Sequence, residues 1–135
     1  MNFREATLED IELMASLSVN QDTERKIGEP LDFVYTLEHK GELLVVGGFR
    51  MIVPTTAWCW LDLSEYGVKH IRDSFRTIKE WGGKWAKANG VKRLQCFTRD
   101  QEDKKRLVTH CGFKQESIMK NFYGDEDAIL FARVF

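Results

Sequence analysis

The sequence contains little proline and little cysteine, and neither positive nor negative charge is in clear excess. Two prolines occur in 135 residues, while aromatic residues make up 12% and hydrophobic residues 43%, a composition typical of folded globular chains and not of disordered ones. The three cysteines, Cys59, Cys96 and Cys111, are odd in number and far apart. This spacing argues against a disulfide framework and favours reduced thiols.

Charge and hydropathy exclude further classes of protein. Lysine and arginine total 20 against 21 aspartates and glutamates, a formal net charge of −1, so we expect no nucleic-acid partner, although a local basic patch stays open. No apolar run approaches the roughly 18 residues of a membrane span, so we expect no membrane partner. Residues 1–5 carry no apolar signal core, which predicts a cytoplasmic location. No Cys/His cluster has the spacing of a zinc site, so no metal is expected.

Strand and helix patterns alternate along a chain whose length suits one domain, residues 1–135. Strand patterns cover residues 2–6, 32–38, 43–53, 56–63, 91–98, 113–122 and 128–134. Helix patterns begin at Thr7 and cover residues 66–88 and 100–111, and the polar residues 20–29 are a weaker helix candidate. Strands joined through helices pair in parallel, whereas consecutive strands pair antiparallel. We therefore expect an α/β domain with a mixed, centrally parallel sheet and helices on both faces.

Local signals add detail to this outline. Thr7 with Asp10 three residues later forms a capping-box pattern. Gly47 and Gly48 interrupt the third strand, which predicts a bulge or bend. Gly82 and Gly83 lie inside the long helix, where each costs about 1 kcal/mol relative to alanine. A kink, or the close approach of another backbone, would explain that cost.

The order of elements resembles, from end to end, the GNAT superfamily of acetyl-CoA-dependent N-acetyltransferases. Residues 3–11 resemble its opening "IR.AT..D" strand and cap, residues 45–48 its third strand, residues 85–94 the junction from its long helix to strand five, and Gly112-Phe113 with Glu116 its "GF..E" turn. A closer likeness is to the small GNAT-like proteins of short-tailed bacteriophages, some of them internal virion or morphogenesis proteins. It rests on Ser64, Gly67 and the Phe75-Arg76 pair.

The resemblance implies a cofactor loop between strand four and the long helix. In the family this loop follows the pattern Gln/Arg-x-x-Gly-x-Gly/Ala, and its amides hold the pyrophosphate of CoA, as aligned N–H groups at a helix start can. Gly67 fits the first glycine and puts Lys69 at the second; counting back from Trp85 instead puts His70 at the Gln/Arg position and leaves no glycine. The residues assigned to acetyl-CoA are Leu63, Gly67, Val68, Lys69, His70 and Arg72. The cations among them are alternatively solvated surface charges.

Two catalytic roles follow from the same resemblance. The family's general-acid tyrosine maps to Val108, which cannot transfer a proton, and Tyr66 or Tyr123 are conceivable substitutes. Asp62, at the end of strand four on the face of Trp58 and Trp60, is the candidate base that takes the amine proton. Alternatively, Asp62 caps the following turn or meets water. Trp58 and Trp60 either line an acceptor pocket or pack under a helix.

Two functions are therefore expected. The first is transfer of an acetyl group from acetyl-CoA to a primary amine of a small molecule or a protein. The second is a non-catalytic GNAT-like phage protein of the virion, of assembly or of host interaction, located in the virion or the host cytoplasm. A homodimer is compatible with both functions.

Overall fold

A computed structural model describes residues 1–19 and 32–135 of the protein. Its elements, in chain order, are β1 (Asn2–Glu5), α1 (Leu8–Leu17), β2 (Asp32–His39), β3 (Glu42–Val53), β4 (Thr56–Leu63), α2 (Glu65–Lys69), α3 (Ile71–Ala88), β5 (Arg93–Arg99), α4 (Glu102–His110), β6 (Lys114–Tyr123) and β7 (Glu126–Val134). The helix candidate at residues 20–29 lies outside the described residues.

Seven strands form one mixed sheet, in the order β1-β2-β3-β4-β5-β7-β6. The pairs β1–β2, β2–β3, β5–β7 and β6–β7 are antiparallel. The pair β4–β5 is parallel, with Thr56–Trp58 in register with Arg93–Gln95, because α3 carries the chain back between the two strands. The expected α/β class and the mixed sheet with a parallel centre are confirmed.

Two corrections concern the long helix and the glycines of β3. The helix expected over residues 66–88 is two helices, α2 and α3, separated at His70. Pairing between β2 and β3 runs unbroken through Gly47 and Gly48, and its register shift lies between Leu37 and Glu38. The two glycines instead make room for the neighbouring strands: a Cβ on Gly47 would lie 2.8 Å from the Trp60 carbonyl oxygen of β4, and one on Gly48 would lie 2.6 Å from the Phe33 carbonyl oxygen of β2 and 3.0 Å from Trp60 Nε1.

By its internal contacts the chain divides into two compact units. The first comprises Met1–Met51 and Cys59–Ser74. One cluster in its core joins α1 to β3 through the buried residues Ile11, Met14, Leu43 and Val46, with Leu17, Val34 and Trp60 packed against them. Trp60 therefore packs beneath a helix, which is one of the two places expected for it.

The start of α1 is held by a dense set of hydrogen bonds. The capping box is confirmed: the Asp10 amide donates to Thr7 Oγ1 at 3.2 Å, and the Thr7 amide donates to Asp10 Oδ2 at 2.7 Å. Arg4 donates to both carboxylate oxygens of Asp10, at 2.7 and 3.0 Å. This guanidinium, together with the Thr7 donors, holds the pKa of Asp10 well below its usual range.

The second unit comprises Ile52–Trp58 and Phe75–Phe135. Its buried apolar residues come from both strands and helices, namely Ala57, Phe75, Trp85, Ala86, Val91, Leu94, Val108, Cys111, Phe113, Ala128, Ile129, Phe131 and Ala132. Glu116 of the "GF..E" pattern forms a two-pronged ion pair with Arg93, at 2.8 and 2.5 Å. This pair gives the glutamate of that pattern a structural role.

Candidate functional site

The end of β4 and the start of α2 are tied to β3 through Ser64. Its amide donates to the Leu44 carbonyl at 3.0 Å, and its hydroxyl donates to the Leu43 carbonyl at 2.5 Å. The same Oγ accepts the Gly67 N–H at 3.2 Å and so caps α2. Ser64 is fully buried, so this turn is a fixed part of the fold.

Gly67 owes its place to close packing. A Cβ there would collide with the Leu44 carbonyl oxygen and would lie 2.6 Å from Leu63 Cδ1. Leu63 is itself buried. Helix α2 therefore lies directly against β3, and only glycine fits at the contact. The glycine that resembles the family's loop thus has a structural explanation within this chain.

The backbone amides of α2 donate to partners inside the chain. The Gly67 N–H donates a hydrogen bond to Ser64 Oγ. The Val68 N–H donates to the Ser64 carbonyl at 3.0 Å, and the His70 N–H donates to the Tyr66 carbonyl at 3.2 Å. The Lys69 ammonium lies 5.7 Å from the centre of the Tyr66 ring. A five-residue helix with its amides so engaged offers few N–H groups to an anion.

The start of α3 offers more. The helix begins at Ile71, and the Ser74 amide donates to the His70 carbonyl at 2.9 Å. The amides that precede it in the helix have no carbonyl four residues back within the helix, as at any helix start. The hydroxyl of Ser74 is buried and has no hydrogen-bond partner in the part of the chain that the structure describes. An orphaned donor in the first turn is a feature that a bound anion would satisfy.

His70 and Arg72 flank this helix start, and His70 is held by a ring contact. The His70 ring contacts the ring of His39, the last residue of β2, edge to face, with 5.2 Å between the ring centres. Arg72 is exposed in the first turn, next to Asp73. Of the residues assigned to the cofactor, His70 and Arg72 therefore lie at the start of α3, Val68 and Lys69 are exposed on α2, and Leu63 and Gly67 are buried.

Asp62 is completely buried at the end of β4 and accepts a hydrogen bond from Ser18 Oγ at 2.8 Å. Ser18 follows α1 and forms a bridge with Ser64, and the Val19 amide donates to the Leu63 carbonyl at 2.8 Å. The carboxylate thus fastens the end of α1 to the end of β4. Because it is buried, it does not lie in bulk water at the strand end.

An aromatic cluster in the second unit contains Trp58 and Tyr123. Phe97 is in contact with Trp58 (5.7 Å between ring centres), with Phe122 (4.7 Å) and with Tyr123 (6.5 Å). Phe97 and Phe122 are 40% and 48% exposed. The Arg99 guanidinium lies 4.1 Å from the centre of the Tyr123 ring. An apolar or cationic group of a ligand would find a partner here.

The remaining candidates have structural surroundings. Val108, at the position of the family's tyrosine, is buried in α4. Burial raises the pKa of the Cys96 and Cys111 thiols to about 12, so neither is a thiolate nucleophile at neutral pH. Among residues 1–19 and 32–135, no group of three or more His, Cys, Asp or Glu side chains is arranged to hold a metal ion. None of the helices in these ranges combines the length and the apolar character that crossing a bilayer requires.

No protein-family model matches the sequence, and no curated protein is matched. Solved structures match along nearly the whole chain. An acetyltransferase from Bacillus subtilis in complex with CoA shares 17% identity and a TM-score of 0.74, with 99% of each chain covered. The aminoglycoside 6'-N-acetyltransferase from Enterococcus faecium shares 15% identity and a TM-score of 0.77, over 99% of this chain and 97% of that one.

A third match is the spermidine/spermine N-acetyltransferase of Vibrio cholerae, crystallised with manganese ions, at 11% identity and a TM-score of 0.78, over 98% and 91% of the two chains. The 135-residue chain therefore has the GNAT fold. At such identities the likeness establishes the fold alone, as the order of elements in the sequence had indicated. The likeness to small phage proteins is not shown by these matches and stays a prediction.

Proposed function

We propose that this protein is a GNAT-type N-acetyltransferase that transfers the acetyl group of acetyl-CoA to a primary amine. One observation carries the proposal: the fold matches, over 98–99% of the chain, structures of N-acetyltransferases that act on chemically different acceptors, and another match is an acetyltransferase in complex with CoA. The amine acceptor is either a small molecule or a protein.

Within this proposal, the start of α3 binds the pyrophosphate, and α2 does not. Helix α3 has 18 residues, so its N-terminus carries the positive end of a full helix dipole. Its first amides, the orphaned Ser74 hydroxyl and the exposed Arg72 supply donors and charge. The contribution of Gly67 is to bring α2 against β3 and thereby fix where α3 begins.

Asp62 is the proposed base. In acetyl transfer the amine nitrogen attacks the thioester carbonyl, the carbon–sulfur bond breaks, and the proton of the amine passes to a base. Asp62 lies on β4 three residues before α2, and Ser18 orients its carboxylate. Because the side chain is buried, it would receive the proton through a hydrogen-bonded relay and not directly.

Calorimetric titration with acetyl-CoA and with CoA tests the binding step. We expect micromolar binding that weakens by about 10- to 100-fold in Lys69→Ala/Arg72→Ala, since the charged contact of Arg72 to a phosphate contributes about 1.5–3 kcal/mol and Lys69, on α2, adds only longer-range charge. The control, Lys92→Ala/Lys114→Ala, removes the same charge from exposed lysines of the second unit and should bind normally. Absence of binding at millimolar ligand would refute the proposal.

Asp62→Asn tests the chemical step and separates a base from a structural carboxylate. If Asp62 is the base, the variant binds acetyl-CoA with unchanged affinity, loses activity by about 100-fold or more, and loses the acidic limb of the pH profile. If Asp62 only holds α1 to β4, the urea midpoint falls and the pH profile keeps its shape. Ser18→Ala, which removes the donor and keeps the carboxylate, distinguishes orientation from proton transfer.

A second function, a GNAT fold without catalysis that binds a protein partner, is favoured by one feature. The loop glycine and the amides of α2 are occupied within the chain, and valine stands at the tyrosine position. The same titration decides between the two functions, because a non-catalytic protein of this kind has no need to bind acetyl-CoA.

A further inference from the structure

A basic groove lies along α3 in the second unit. Its volume is about 440 Å³, within the range of small-molecule sites. Among the described residues, its lining consists of five cationic side chains, one carboxylate and one glycine: Arg76, Lys79, Lys84, Lys87, Arg133, Glu80 and Gly83. This cluster is the basic patch that the near-neutral composition conceals, and none of the residues assigned to catalysis or to the cofactor belongs to it.

Arg133 is fixed within the groove by one hydrogen bond and by its close packing against two glycines. Its Nη1 donates to the Lys79 carbonyl at 2.8 Å. A Cβ on Gly83 would lie 3.0 Å from Nη2, and one on Gly112 would lie 3.2 Å from Nε. The guanidinium also lies 4.8 Å from the centre of the Phe135 ring. The close approach that the Gly82-Gly83 pair predicted is therefore made by an arginine side chain and not by a backbone.

Simple surface solvation does not account for this arrangement. Lys87, in the last turn of α3, is favoured there by the helix dipole. Arg76, Lys79 and Arg133 gain nothing from that dipole, and bringing like charges together costs energy. Helix α3 also tolerates a glycine at position 83, which costs about 1 kcal/mol and leaves space that Arg133 fills. A preorganised arginine ringed by lysines is a typical arrangement for binding phosphate groups.

We propose that this groove binds a small ligand carrying two or more phosphate groups, at a site separate from the one proposed for acetyl-CoA. The concave shape and the limited volume fit a compact ligand such as a nucleotide or an inorganic polyphosphate. Arg133, held by the Lys79 carbonyl, supplies a fixed positive charge, while Lys79, Lys84 and Lys87 supply mobile charges around it.

The test uses inorganic tripolyphosphate as the probe, titrated calorimetrically into the full chain. We expect saturable binding that weakens about tenfold in Lys84→Gln/Lys87→Gln and is retained in the control Lys92→Gln/Lys114→Gln. Glu80→Gln should tighten binding by roughly two- to fivefold, because it removes the carboxylate from the lining. Gly83→Ala should weaken binding slightly without altering any charge, because its methyl group, 3.0 Å from Nη2, shifts the Arg133 guanidinium by a few tenths of an ångström.

Parallel titrations with ATP distinguish a nucleotide from a free polyphosphate as the source of the phosphates. Four results would overturn the proposal: no saturation at millimolar probe, equal weakening in the control variant, weakening in Arg72→Ala with none in Lys84→Gln/Lys87→Gln, or binding of a DNA duplex without binding of tripolyphosphate. The third would place the probe in the acetyl-CoA site. The fourth would make the groove part of a nucleic-acid surface.

Discussion

Gly67→Ala tests the conclusion that this glycine serves packing between α2 and β3. The added methyl would collide with the Leu44 carbonyl oxygen and lie 2.6 Å from Leu63 Cδ1, so α2 must move away from β3 by roughly 1 Å to reach ordinary contact. Strain from overpacking costs about 1–3 kcal/mol, and the two Ser64 hydrogen bonds that span the contact contribute about 1 kcal/mol each.

Set against these losses is the gain of about 1 kcal/mol from replacing a helical glycine by alanine. The net expectation is a loss of about 2–4 kcal/mol in the free energy of unfolding. Gly82→Ala is the matched control. It also lies in a helix, yet its Cβ would meet nothing closer than 3.6 Å, so this variant should be as stable as the parent or more stable.

Urea denaturation followed by far-UV circular dichroism measures both changes through the midpoint and the slope. A Gly67→Ala protein with the parent's midpoint would refute the packing argument. Equal destabilisation by Gly82→Ala would refute it as well, since the effect would then belong to helical glycines in general. If Gly67→Ala keeps its stability and loses CoA binding, the glycine acts in the cofactor loop, as the family resemblance implied.

Two further predictions concern Asp10 and Ser74. Asp10→Asn should lower the free energy of unfolding by about 1–2 kcal/mol at pH 7. Since Arg4 depresses the pKa of Asp10 in the folded protein, this contribution is full above the unfolded value of about 4 and is lost as the pH falls below it. If the urea midpoints of the parent and of Asp10→Asn differ by the same amount at pH 7 and at about pH 2.5, this expectation is wrong. Ser74→Ala removes a buried hydroxyl that lacks a partner among the described residues, so stability should stay constant or rise by up to about 1 kcal/mol, while CoA affinity falls. Reduced stability with unchanged CoA affinity would show that the hydroxyl serves the fold.

The parts of the fold that the sequence predicts well are those set by local chemistry. The Thr7–Asp10 capping box follows from residues three apart, and the β4 boundaries, residues 56–63, follow from Pro54 before the strand and from its alternating pattern. The break at His70 was not predicted, because Val68, Ile71 and Phe75 continue a helical spacing straight across it. Two features accompany the break: Ser64 caps α2, and the His39 ring contacts His70. Neither Ser64 nor His39 belongs to that helical spacing.

The glycines illustrate the same limit. The cost of Gly82 and Gly83 inside a helix is visible in the sequence, but the reason for Gly83 is Arg133, fifty residues further along the chain. The basic groove was missed for a related reason: three of its cations, Arg76, Lys79 and Lys87, look like ordinary surface charges until the fold brings Arg133 beside them. Contacts between residues distant in sequence determine these features, and a single sequence does not record them.

The connection from β4 to α3 shows whether Gly67 can be taken as a sign of CoA binding. Gly67 matches one position of the family pattern, but its fit against Leu44 accounts for it without a ligand, so the match alone is no evidence of CoA binding. The alternative alignment, which places His70 at the Gln/Arg position, agrees better with a helix that begins at Ile71. On that alignment the loop has no glycine at the positions of the family pattern. Binding of the cofactor then depends on the helix amides, Arg72 and Ser74. An enzyme built in this way should bind CoA through charge and the helix terminus, and its affinity should therefore fall more steeply with salt than that of a glycine-loop relative.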